Sequence, residues 1–145
     1  MMFSKACEYG IKAAIFIAYK SQQGAMVGLN EISNEIDSPV AFTAKVLQQL
    51  TKNKIVDSIR GPAGGFLIIQ KKAEKIKLSK IVSVLDGDSI YKGCGLGLPR
   101  CNEKNPCPIH YKFAEIRSQL KLMLETTSLW DLTKDINNGD TFLKQ

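Results

Sequence analysis

Ser38-Pro39-Val40-Ala41-Phe42-Thr43-Ala44-Lys45-Val46-Leu47-Gln48-Gln49-Leu50 begins with its own start signal for a helix. Serine is a favoured N-cap, and proline suits the first helical position because its φ is already helical and its missing N–H would have had no partner there. The spacing predicts a helix over 38–53 with Phe42, Val46, Leu47 and Leu50 on one apolar face. Val40, Ala41, Thr43, Ala44, Lys45, Gln48, Gln49 and Lys52 make up a small, polar and cationic remainder. Immediately upstream, Leu29, Ile32 and Ile36 form the buried face of a shorter helix over 29–36, with Gly28 at its N-cap and Glu31 in its first turn. Two short helices joined by a tight turn are either a helix-turn-helix, whose second helix enters the DNA major groove, or an ordinary amphipathic pair.

The residues that follow favour the first reading. Ile55–Ile59 and Phe66–Gln70 are strand-like runs separated by Arg60-Gly61-Pro62-Ala63-Gly64-Gly65, a hairpin loop whose glycines allow unusual backbone angles. A hairpin directly after a helix-turn-helix is a wing. Arg60 at its tip is the residue type that a narrow minor groove attracts, and the alternative is a hairpin with a solvated arginine.

Working outward, residues 4–20 read as a helix with Tyr9, Ala13, Phe16 and Ile17 on one stripe and Lys5, Lys12 and Lys20 off it. Residues 71–77 read as a polar, basic connection, and Leu78, Ile81, Val82 and Leu85 as a further helical stripe against the first helix. Pro108 is placed to begin a long helix to about Glu125, with Ile109, Phe113, Ile116, Leu120 and Met123 in steps of four and three. Such a seam covers either the domain's own core or, more economically, its copy in a homodimer. Ser128 caps a last helix through Leu129, Trp130, Leu132 and Ile136, and residues 137–145 read as a frayed tail.

The fold class is therefore mainly α, a winged helix-turn-helix with a small β-hairpin and a long C-terminal dimerisation helix. Three segments follow: a DNA-binding domain over 1–86, a cysteine-rich loop over 87–107, and the dimerisation and C-terminal helices over 108–136. The chain has 145 residues, 44% of them hydrophobic, enough for one real core. Charges interrupt the early apolar run at helical spacing, so neither a signal peptide nor a membrane span is expected, and the cysteines belong in a reducing cytoplasm. The net charge is +6, and residues 1–77 hold 11 Lys/Arg against 6 Asp/Glu, so the basic part precedes the cysteine part and suits a polyanionic partner such as double-stranded DNA. The chain has no Ser/His/Asp-like set and no phosphate loop, so an enzyme and a small-molecule substrate are not expected.

Cys94, Cys101, Cys107 and the only histidine, His110, fall within a Gly/Pro-rich stretch where packing would not gather them. Metal ligation is the simplest cause, because thiolates must converge on one point and glycines let the backbone do so. His110 lies three residues past Cys107, so a helix from Pro108 brings its imidazole within reach of a metal held by that sulfur; a solvated histidine is the plain alternative. Three Cys and one His is also a closed tetrahedral zinc set, although the gaps of six and five residues exceed those of zinc knuckles and favour a larger cluster. Zinc would suit a winged-helix protein controlled through a protein partner.

Phe3-Ser4-Lys5-Ala6-Cys7-Glu8-Tyr9-Gly10-Ile11-Lys12-Ala13-Ala14, the Ser38–Leu50 helix, Arg60-Gly61-Pro62-Ala63-Gly64-Gly65-Phe66 and the three-cysteine loop together resemble the Rrf2 family of bacterial transcription regulators, its IscR-like and NsrR-like members in particular. The resemblance covers almost the whole chain. It implies a homodimeric winged-helix protein that binds operator DNA with an affinity set by an iron–sulfur cluster. The IscR-like ligand set maps onto Cys94, Cys101, Cys107 and His110 and implies 2Fe-2S rather than 4Fe-4S. The NsrR-like pattern instead offers Glu8, reaching from the partner subunit, as the remaining ligand. DNA contacts map onto Pro39, Ala41, Lys45 and Gln48 in the recognition helix and Arg60 with Gly61 in the wing. Two departures stand out: the first cysteine gap is one residue longer than such loops usually have, and Ala44 stands where IscR-like members carry an acidic residue linked to site choice. Cys7, beside Glu8, points to another side of the helix and reads as a small buried residue.

Overall fold

The computed structural model describes residues 2–145. Eight α-helices and one hairpin follow in the order α1 (Lys5–Gln22), α2 (Leu29–Glu35), α3 (Val40–Lys52), β1 (Asp57–Ile59), β2 (Gly65–Leu67), α4 (Gln70–Lys75), α5 (Leu78–Asp86), α6 (Ser89–Lys92), α7 (His110–Thr126) and α8 (Leu129–Asn137).

The first helix is the hub. The single stripe expected for it is too narrow, since residues 13–18 are buried without interruption. Such all-round burial marks a helix surrounded by others; α1 packs against α3, α5 and α8. Its lysines reach solvent over aromatic faces, with the Lys12 ammonium 5.2 Å from the Tyr9 ring centre and that of Lys20 5.8 Å from Phe16. Gly10 allows the closest approach: a Cβ there would lie 2.2 Å from Cδ1 of Leu85 on α5 and 3.3 Å from Cγ1 of Val46 on α3.

The helix-turn-helix forms where expected, with Gly28 at the N-cap of α2 and Asp37 in the left-handed region, φ 53°, at the turn. The start of α3 shifts by one residue. Pro39 is its N-cap, its carbonyl accepting from Thr43 N–H at 2.9 Å, while the Ser38 hydroxyl lies 2.5 Å from that of Thr43. That hydrogen bonding buries Thr43 fully, and Phe42, expected in the core, is 39% exposed against Tyr9.

The hairpin is shorter than the two predicted runs. Lys54 at φ 60° curls the chain, so Ile55 and Val56 hang from the Leu50 carbonyl as buried turn residues before β1 begins. The antiparallel register pairs Asp57 with Leu67, Ser58 with Phe66 and Ile59 with Gly65. Val27 forms a bridge to Phe66, tying the wing to the α1–α2 connection. Residues 68–70 do not continue the strand: Ile68 enters the core and Ile69 caps α4, a helix that sequence periodicity missed because Ala73 is its only buried residue.

Beyond α5, which packs on α1 as expected and on α3 as well, the chain makes the short α6 before the Gly/Pro loop. Pro108 and Ile109 form a turn, so α7 starts at His110. Leu124 of α7 is buried toward α5, while Ile116 is 62% and Met123 44% exposed, leaving the predicted seam largely uncovered in one chain. The last helix returns to α1 and α4, and Leu129 joins the main core. The terminal segment is less frayed than expected: Leu143 packs on that core and the Lys144 ammonium donates to the Asn34 carbonyl at 3.2 Å.

A capping box starts α8, with Asp131 N–H donating to the Ser128 hydroxyl and Ser128 N–H to the Asp131 carboxylate, each at 3.1 Å. The Ser128 backbone N–H, then its side chain, hold the Asp131 carboxyl below the usual carboxylate range. A depressed pKa means stabilisation present above the unfolded-state pKa and lost as pH falls through the folded one. Ser128→Ala is expected to cost about 1 kcal/mol in urea unfolding at neutral pH, and Asp131→Asn to flatten the acid limb of the stability curve.

Candidate cluster-binding loop and nucleic-acid interface

The loop after α6 is laid against the first turns of α7. Gly95 makes this possible, because a Cβ there would lie 2.9 Å from the Phe113 ring and 3.0 Å from Ile109. Gly97 at φ 76° closes a turn whose N–H donates to the Cys94 carbonyl at 3.0 Å. This turn brings peptide N–H groups to sulfur: that of Leu96 lies 3.4 Å from Cys94 Sγ. Donation from Leu96, then Leu98, with help from the Cys107 thiol and Gly97, lowers the Cys94 pKa and favours its thiolate.

The four expected donors meet as two pairs. Cys94 lies beside Cys107, and Cys101 Sγ lies 3.2 Å from Nδ1 of His110. His110 is only 5% exposed, so it is not a solvated helix start; its N–H donates to the Cys107 carbonyl while its ring turns to Cys101, not to Cys107 as spacing suggested. Among the described residues, no three His, Cys, Asp or Glu side chains converge on one metal-sized point. Glu8 is ion-paired with Lys5 at 3.2 Å on the exposed start of α1.

Sequence reasoning overlooked Arg117. It lies seven residues past His110 on α7, its Nη1 donates to the Gly93 carbonyl at 2.6 Å, and its Nη2 donates to Cys101 Sγ at 3.2 Å. The guanidinium rests 5.7 Å from the Phe113 ring centre. One side chain thus holds the loop at two points and places a positive charge on a ligand-type sulfur. Its position two helical turns along the His110 face was the available signal.

The fourth cysteine is of another kind. Cys7 is fully buried, and burial, then the Asp86 carboxylate, push its thiol up to about 12. Both effects favour the neutral thiol at physiological pH.

On the opposite function, Pro39, Ala41, Lys45 and Gln48 of α3 and Arg60 and Gly61 of the hairpin tip are all exposed. Gly61 has φ 106°, and Gly64 sits so close to the Ile59 carbonyl that only glycine fits. Ala44 is half-buried on α3 beside Gln48.

A recognition-type helix, a hairpin wing and a thiol-rich loop on a single core define a winged-helix DNA-binding regulator. Residues 3–135 match the Rrf2 family, described as "Iron-dependent Transcriptional regulator", and the chain belongs to that family. A protein of Aquifex aeolicus described as an HTH-type transcriptional regulator is 32% identical over 134 residues, 91% of each chain. IscR of Xenorhabdus nematophila is 27% identical over 135 residues, 93% of this chain and 80% of its own. Among solved structures, CymR of Bacillus subtilis, called a global cysteine regulator, superposes with a TM-score of 0.73 at 23% identity, covering 91% of this chain and 95% of its own. IscR of T. potens superposes with a TM-score of 0.72 at 19% identity, covering 95% and 90%. At these identities the structural likeness concerns the fold. The family and its relatives are transcription regulators and not enzymes. No described helix is long and apolar enough to cross a membrane.

Proposed function

We propose that the protein is a homodimeric, operator-binding regulator in which Cys94, Cys101, Cys107 and His110 hold an iron–sulfur cluster, 2Fe-2S in preference to 4Fe-4S. The observation that supports this is two donor pairs in one loop laid on α7, Cys94 with Cys107 and Cys101 with the buried His110 imidazole, with peptide N–H groups and Arg117 directed at the sulfurs. That donor set fits: N–H donors near cluster sulfurs offset negative charge, and an imidazole in place of a thiolate removes one more. When bound, such a cluster supplies a redox- and nitric oxide-sensitive bond set; the rest is done by the chain. Glu8 on the partner subunit is the competing fourth ligand, and its ion pair with Lys5 is weak enough to be exchanged.

The DNA-reading groups are Lys45 and Gln48, with Pro39 and Ala41 close to the groove and Arg60 and Gly61 at the wing. The uncovered Ile116 and Met123 supply the apolar surface for a second copy. Ordering of the loop would be felt at α3 through packed helices: α7 rests on α5, and Leu85 of α5 is wedged against Gly10 and beside Val46 of α3.

The test is an anaerobic preparation examined by visible absorption and by iron, sulfide and zinc content. Near-equal iron and sulfide with thiolate-to-iron bands is the expected result. About one zinc per chain, colourless and without sulfide, replaces this reading with a structural zinc site and control through a protein partner. Arg117→Ala is expected to lower the cluster's midpoint potential, because it removes a positive charge and a donor from Cys101 Sγ, with Arg117→Lys recovering part of the potential but not the two-point clamp.

A further inference from the structure

A concave, strongly basic face lies outside the DNA-reading residues of α3 and the wing and outside the four cluster-type donors. A depression of about 620 Å³ is lined by Lys54, Lys72, Lys75, Lys77 and Lys80, with Asp88 and Glu125 as the opposing charges. The lysines come from four segments: the turn after α3 and, beyond the hairpin, α4, the α4–α5 connection and α5. Only Lys72 has an ion-pair partner among the described residues, Asp57 at 3.2 Å; Lys54, Lys75, Lys77 and Lys80 have none. Lys54, Lys75 and Lys80 are exposed, so core packing does not require them, and ammonium groups gathered in this way repel one another in the free protein. A polyanion relieves that repulsion.

The face adjoins the DNA-reading groups at two points. Lys54 stands two residues past the end of α3, and Lys72 is bridged to the wing strand that leads, three residues beyond Asp57, to Arg60. We propose that this lysine face takes the phosphate backbone of duplex DNA flanking the operator core, beyond the wing. The proposal rests on the operator-binding reading and extends the footprint from the recognition helix and wing to α4 and the start of α5. These contacts carry no sequence information; they add affinity and salt dependence.

The test uses duplexes selected by the full-length protein from a random library, presented without flanks and with about one helical turn (~10 bp) of arbitrary sequence on each side. Wild-type protein is expected to bind the flanked duplex roughly tenfold more tightly at low salt, with a steeper salt dependence. Lys75→Gln/Lys77→Gln/Lys80→Gln should lose that gain, lower the salt slope by about 0.9 for each phosphate contact removed, and leave the unflanked affinity unchanged. Lys75→Glu/Lys80→Glu, checked for an unchanged circular dichroism melt, should make the flank unfavourable. Equal wild-type affinity for both duplexes, or a gain that survives the substitutions, overturns the proposal while leaving operator binding intact. Polyglutamate that binds the wild type but not the triple variant, with no flank effect, reassigns the face to an acidic protein. Failure to select any duplex overturns the operator-binding reading as well.

Discussion

Anaerobically purified protein in which Cys94, Cys101 and Cys107 are all replaced by alanine is expected to be colourless, to contain neither iron nor sulfide, and to bind its operator with one fixed affinity. The wild type under the same conditions should show two affinities, one for the cluster-loaded and one for the stripped protein. Folding should survive, because none of the three sulfurs belongs to the hydrophobic core built around α1, and all three are partly solvent-accessible. An operator affinity that still changes on cluster reconstitution of the triple variant sinks the sensing mechanism. Cys7 provides the internal control. With its thiol pushed up to about 12 by burial, it should resist alkylation in the native protein while the loop thiols react, and Cys94 should react fastest, since its sulfur is held toward the thiolate by the Leu96 and Leu98 N–H groups. The direction of the Cys7 shift also sets its pH effect: the folded state prefers the neutral thiol, so that stabilisation is complete below about 9 and is lost as pH rises toward about 12.

Gly64→Ala is expected to abolish most operator binding without unfolding the protein. A Cβ at Gly64 would lie 1.9 Å from the Ile59 carbonyl oxygen, 2.7 Å from the Ile59 carbonyl carbon and 2.9 Å from that of Arg60. All three are backbone atoms, so no rotamer change relieves the contact and the hairpin tip must open. Strain of this kind typically costs 1–3 kcal/mol, or about tenfold or more in affinity where binding requires the closed wing. Gly64 itself lies outside the hydrophobic core, although Phe66 two residues on packs against it, so the thermal midpoint should fall only modestly. Gly61→Ala, with φ 106° but open space around it, should have a smaller effect on the same assay. If Gly64→Ala binds operator as tightly as wild type, Arg60 and the wing tip are not part of the interface.

Much of the architecture was legible because its signals are local. The Ser38-Pro39 start, the Asp37 turn, the Gly-rich hairpin tip and the Ser128 cap are each written in adjacent residues whose backbone preferences do not depend on distant packing. The outer face of α3 was legible for the same reason, since helical periodicity alone places Lys45 and Gln48 away from Val46 and Leu47. Failures fall where the signal is not local. The helix α4 buries only Ala73, so there was no stripe to read, and the terminal segment looked frayed until Leu143 was seen on the core. Phe42 and Thr43 exchanged burial because one hydroxyl found partners in Ser38 and Pro39.

The same division runs through the candidate site. Residue chemistry selects the donors, because three cysteines and one histidine in a short Gly/Pro-rich loop have few other uses, and that is a property of composition and spacing. Which donors meet is a property of the folded chain. His110 turns to Cys101 rather than Cys107, Cys94 gathers the N–H groups of its own turn, and Arg117 reaches back from α7 to close the loop at Gly93 and Cys101. Spacing constrains only how far apart two residues can be along the chain; the direction of each side chain follows from how α7 packs on α5 and how closely Gly95 lets the loop approach. The lysine face makes the same point on the surface, since charges from four segments become one patch only after α3, α4 and α5 have docked.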